Sequence, residues 1–87
     1  LDCDNSQITN TSFKLRMGDF SAEHATFKGE DNSITSTAGD VDITLADKDL
    51  KINPSYFLGD ADIASDLNTS SQNTLTIDNK AGDITIQ

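Results

Sequence analysis

Thr37-Ala38-Gly39-Asp40-Val41-Asp42-Ile43-Thr44-Leu45 decides how this chain folds. After the Gly-Asp pair, apolar Val41, Ile43 and Leu45 alternate with polar Asp42 and Thr44, the pattern of a strand with one buried face and one wet face. The pair recurs as Gly18-Asp19, Gly59-Asp60 and Gly82-Asp83, in steps of 21, 20 and 23 residues. Repeats of this length, each carrying β-type residues, predict a solenoid in which every unit stacks on a neighbour.

Aligning the units on their glycines gives columns. Phe20, Val41, Ala61 and Ile84 stand two residues after Gly, and Ala22, Ile43, Ile63 and Ile86 stand four after. Upstream, the columns are Met17, Ala38, Leu58, Ala81, then Leu15, Ser36, Tyr56, Asn79, then Phe13, Ile34, Pro54, Ile77. The inward set is odd-numbered before Gly and even-numbered after it. Alternation therefore switches at the pair, which predicts a corner and positive φ at some of the glycines. Ile8, Phe27, Leu45, Leu50, Ile52, Leu67 and Leu75 are left to line the other walls. Lys28–Asn32 and Asn68–Asn73 read as turns. Pro54 predicts an irregular third coil, with Tyr56 and Phe57 filling space around it. The expectation is an all-β, single-domain, single-stranded β-helix-like solenoid of about four coils spanning residues 1–87.

Composition agrees with that architecture. Hydrophobic residues make up 34% of the 87 residues, thin for a two-layer domain but enough for a narrow column. The acids are 13 Asp and 2 Glu, and Asp, Asn, Ser and Thr together supply 39 residues, which favours turns and short strands over helices. A net charge of −9 argues against nucleic acid and anionic lipid as partners. The single cysteine, Cys3, excludes an intrachain disulfide and reads as a free thiol. No signal peptide or apolar membrane span is present, so the chain reads as part of a longer protein whose export signal or anchor would lie elsewhere.

The motifs Thr37-Ala38-Gly39-Asp40-Val41-Asp42-Ile43 and Lys80-Ala81-Gly82-Asp83-Ile84-Thr85-Ile86, with looser copies at Leu58–Ile63 and Met17–Phe20, resemble a family of bacterial envelope proteins described as adhesins, a domain of otherwise unknown function. The resemblance covers roughly residues 5–87. It implies a β-helix-like solenoid on the cell surface or in the envelope and no known catalytic residues. The chain is read as having no cofactor and an unknown surface ligand, with protein and polysaccharide as the candidates.

Chemistry concentrates in the acids. Stacked units would place Asp19, Asp40, Asp60 and Asp83 in a ladder, with Asp42 and Asp62 as a second acidic line. Asp40, Asp42, Asp60 and Asp62 are thus the candidates for bridging by Ca²⁺. The preferred reading is that each ladder Asp accepts backbone N–H bonds at its corner. A second reading makes clustered Asp residues the acid and base of a fragment of a carbohydrate-active β-helix enzyme. His24, without a second His or a nucleophile motif, reads as a surface or corner residue. Thr35 and Thr37 with Thr74 and Thr76 raise an ice-binding array, which Ser55 and Phe57 interrupt in the third unit. Self-association through a terminal coil is also expected. The strand Asp83–Gln87 is taken as the open edge, because it carries neither Pro nor Lys.

Overall fold

A computed structural model describes residues 4–87. Cys3 lies outside them. The described chain has nine strands and no helix: β1 (Gln7–Thr9), β2 (Ser12–Met17), β3 (Phe20–Lys28), β4 (Asn32–Ala38), β5 (Val41–Leu45), β6 (Lys51–Leu58), β7 (Ala61–Ile63), β8 (Thr74–Ala81) and β9 (Ile84–Ile86). All pairings are parallel, as stacked coils require. The fold is an all-β solenoid of about three full turns, close to the roughly four coils expected. The fourth Gly-Asp unit, β8–β9, runs along two walls only, which accounts for the difference.

One wall is the sheet β2-β4-β8-β6, and a second begins at the Gly-Asp corner as β3-β5-β9-β7. A register shift between Glu23 and Ala25 turns β3 onto a third wall. His24 sits at that shift, exposed and with φ 53°, the corner position expected of it. Beyond it β1 pairs with the end of β3, Gln7 opposite Thr26. The third wall continues through residues 46–49 and 66–68, tied by Ala46 N–H to Ala25 C=O and Asn68 N–H to Lys48 C=O. Lys28–Asp47 at 3.1 Å and Lys48–Asp66 at 3.6 Å cross the same layers.

The interior columns are those the alternation dictates. Phe20, Val41, Ile84, Ala22, Ile43 and Ile86 are all buried, and Ile34, Leu75 and Ile77 fill the facing wall. Phe13 meets Phe20 edge-on at 5.0 Å between ring centroids. Ile8, Phe27, Leu45 and Leu50 are buried on the remaining sides, and Ile52 and Leu67 pack partly against them.

The order of the layers departs from the sequence expectation. β9 lies between β5 and β7, pairing Ile84 with both Val41 and Ala61, and β8 lies between β4 and β6. The fourth unit is thus inserted between the second and the third. Four corrections follow. Asp83–Gln87 is not an open edge, because β9 is paired on both sides. The edges of the four-stranded sheet are β2 and β6. The third unit is not irregular, because β6 keeps continuous register with β8 from Lys51 to Tyr56. Lys51 N–H donates to Asn73 C=O; alternation then turns the Pro54 nitrogen toward the open side, where no ladder bond is lost. Tyr56 and Phe57 do not fill space but are exposed. Likewise Met17 and Leu58, assigned inward, are 83% and 61% exposed: their column borders the corner, where even inner-layer Ala38 and Ala81 are half-buried, and each stands on an edge layer with nothing stacked beyond it.

This order predicts a specific ranking of core truncations. Ile86→Ala, in an inner layer, should cost about 2–5 kcal/mol in urea unfolding, like Ile43→Ala. Ile63→Ala, half-buried on the outer layer, should cost clearly less. A larger loss for Ile63 than for Ile86 would contradict the inserted order.

Candidate functional site

The four Gly-Asp corners form a continuous edge of the solenoid. Gly18, Gly39, Gly59 and Gly82 all have positive φ, between 115° and 135°, as the switch in alternation requires. Space imposes a second demand at Gly39 and Gly82. A Cβ on Gly39 would collide with the Gly18 carbonyl, and one on Gly82 with the Gly39 carbonyl. At Gly18 it would meet nothing within 4 Å.

Each aspartate carboxylate reaches across to the neighbouring layer. Asp19 Oδ1 accepts the Asp40 N–H at 2.9 Å, Asp40 Oδ1 the Asp83 N–H at 2.9 Å, and Asp83 Oδ1 the Asp60 N–H at 3.1 Å. The capping reading is therefore right about the donors, backbone N–H groups at the corners. The bond joins two coils rather than closing one turn. The glycine N–H groups run the same way: Gly18 to Ala38 C=O, Gly39 to Ala81 C=O, and Gly82 to Leu58 C=O.

The inserted layer separates the cation-bridging candidates. Asp83 stands between Asp40 and Asp60 in the ladder, and Thr85 stands between Asp42 and Asp62. Asp42 and Asp62 are thus two layers apart, about 9–10 Å at the usual strand spacing, beyond the reach of a shared Ca²⁺. Among the described residues no three His, Cys, Asp or Glu side chains gather as metal ligands, and none lines a cavity. The threonines do not form an array either, since Thr35 pairs with Asp78 and Thr76 with Ser33.

Sequence reasoning missed an asparagine ladder at the corner between the third wall and the four-stranded sheet. Asn10 Oδ1 accepts the Asp31 N–H at 3.2 Å, Asn32 Oδ1 the Thr11 N–H at 3.2 Å, and Asn73 Oδ1 the Gly29 N–H at 2.9 Å. Asn32, 2% exposed, also donates to Lys28 C=O. Asn10, Asn32 and Asn73 do not share one offset from their glycines, so alignment on Gly-Asp hides them.

Charge is segregated. The outer face of the four-stranded sheet carries Lys14, Arg16, Lys51 and Lys80 against one acid, Asp78. The two other cations of the chain, Lys28 and Lys48, are the ones paired on the third wall. The wall that begins at the Gly-Asp corner bears Asp42 and Asp62, both exposed. On the third wall the Asp49 N–H, and then the Lys28 ammonium, hold the Asp47 carboxyl below its ordinary value. No protein-family model, curated protein or solved structure matches this chain significantly.

Two sets of variants test the corner. Gly39→Ala should cost more than the ~1–3 kcal/mol of backbone strain alone, and Gly18→Ala no more than that strain. Asp83→Ala should cost about 1 kcal/mol by orphaning the Asp60 N–H, and Asp60→Ala close to nothing. Thermal or urea unfolding of each reads the ranking. Acid adds a further check. A depressed folded pKa makes the Asp47 contribution complete above the ordinary aspartate value of 3.8 and progressively lost as pH falls through the lowered one. Asp47→Asn should therefore flatten the stability profile in that acid range and leave its neutral-to-alkaline shape unchanged.

Proposed function

We propose that this domain is a non-catalytic structural and binding module of a bacterial cell envelope, adhesin-like as its Gly-Asp repeats suggest, on the outer side of the cell. The observation that carries this reading is the use made of the acids. The carboxylates of Asp19, Asp40 and Asp83 are engaged by backbone N–H groups of adjoining coils. They hold the scaffold together rather than converge on a substrate. The carbohydrate-active alternative needs two carboxyls facing each other across a bound sugar. Here the acids instead lie in a line along one edge and on a flat wall.

The outer face of the four-stranded sheet is the binding surface in this reading. It is four strands wide, opposite in charge to the rest of the molecule, and lined by Ser33, Thr35, Thr37, Asn53, Ser55 and Phe57 around its lysines. Hydroxyl and amide groups, cations and one exposed ring suit a polysaccharide or a protein surface.

Retention on isolated bacterial envelope polysaccharide tests the proposal. The protein should be retained, and the double variant Lys14→Glu with Lys80→Glu should release it at lower salt. No new reducing ends should accumulate. Their appearance above a protein-free control would favour the enzyme.

A further inference from the structure

The geometry points to a second copy of this chain as the occupant of the solenoid's open end, stacked head to tail so that β6 of one copy meets β2 of the next. The inference is independent of the envelope reading and rests on four observations.

First, the exposed large hydrophobic residues are Met17, Tyr56, Phe57 and Leu58, and all four lie on β2 or β6. These are the two opposite edges of the four-stranded sheet. No other strand leaves such a side chain in water among the described residues.

Second, their columns coincide. Met17, Ala38, Ala81 and Leu58 form one vertical row, and Leu15, Ser36, Asn79 and Tyr56 another. Continuing the solenoid into a second copy sets Leu58 under Met17 and Tyr56 under Leu15. In the row between, Phe57 lies under Arg16, a ring beneath a guanidinium.

Third, the ends are offset in complementary ways. On the third wall β1 stands one layer beyond β2, because it pairs outside the end of β3. At the other end that wall stops one layer short of β6, because Asn68 bonds directly to Lys48 of the second turn. One end thus has a projecting strand and the other a step of the same height.

Fourth, the backbone ladder is polar. Ala38, Ala81 and Leu58 C=O each accept the glycine N–H of an adjacent layer. The groups left over are Met17 C=O at one end and Gly59 N–H at the other, an acceptor and a donor in matching positions. The Asp60 carboxylate, the last of its ladder, lies beside them.

Two ends that complement each other but not themselves make a heterologous contact, which propagates in an open series instead of closing as a symmetric dimer. A two-fold pairing of β6 with β6 would run antiparallel, unlike every ladder of the solenoid, and would leave the β2 edge of each copy uncovered. Pro54 removes one donor from the edge, which weakens the contact and keeps it reversible.

Sedimentation velocity of the unmodified chain, Met17→Asp, and Phe57→Asp with Leu58→Asp tests this. All three positions are exposed, and circular dichroism with thermal melting checks that the variants stay folded. The unmodified chain should form species that lengthen as concentration rises from micromolar to millimolar. Each variant, blocked at one end, should remain monomeric. An equimolar mixture of the two should reach twice the monomer mass and stop, since the one open β6 end and the one open β2 end are then joined and only blocked ends remain. An unmodified chain that stays monomeric throughout would overturn the proposal. A mixture that stays monomeric, or one that grows past the dimer, would do the same.

Discussion

The Gly-Asp corner is the constraint on which the rest of the molecule depends. Parallel coils must approach within about 4.8 Å along every wall, including where the chain bends. At the bend the backbone carbonyl of one layer points at the α-carbon of the next, so that Gly39 and Gly82 have no room for a side chain. A sharp turn also interrupts the ladder and strands an N–H. The aspartate that follows restores the bond by lending its carboxylate to the adjoining layer. Glycine removes a clash and aspartate supplies an acceptor, so the pair recurs once per layer.

The columns were legible because alternation around that pair is strong in every unit. Val41, Ile43, Ile84 and Ile86 identify their own faces. The order of the layers was not legible from the columns, because parallel units with the same alternation are interchangeable in register. The signal lay in Pro54. A proline in a strand belongs at an edge, so the third unit had to be an end layer. Read as a source of irregularity, it concealed the insertion of the fourth unit. The same oversight placed Met17, Tyr56 and Leu58 indoors, in end layers with nothing stacked beyond them, although Phe20 and Ala22 stay buried in an end layer of the neighbouring wall.

The inserted order also eases the charge. Carboxylates one layer apart repel by a little under 1 kcal/mol in water, and the corner ladder accepts that repulsion in exchange for charge-assisted bonds to N–H groups. Asp42 and Asp62 have no such compensation, and Thr85 keeps them from being neighbours. The third wall, with few regular strand bonds beyond β1, is held instead by Lys28–Asp47, Lys48–Asp66 and the Asn68 amide on Asp49.

Specific polar contacts, rather than apolar fit alone, select this order over the sequential one. Asn79 is fully buried and donates to Gly39 C=O at 3.1 Å, a bond between the fourth unit and the second. The Asp83 N–H bonds to Asp40, and the Asn73 side chain to Gly29, across the same junction. Were the third unit there instead, Tyr56 would occupy the Asn79 position beside buried Ser36 with its hydroxyl enclosed, and the Pro54 nitrogen would face a layer expecting a donor. The chosen arrangement is not free of cost, since Ser36 Oγ and Asn79 Oδ1 find no partner among the described residues. Two unsatisfied oxygens cost on the order of 1–3 kcal/mol each. The sequential order would remove the Asn79 penalty, but only by giving up the bond to Gly39 and burying a ring beside a proline. The fold keeps this polar pair inside because Asn79, bonded to Gly39, is what distinguishes the fourth unit from the third.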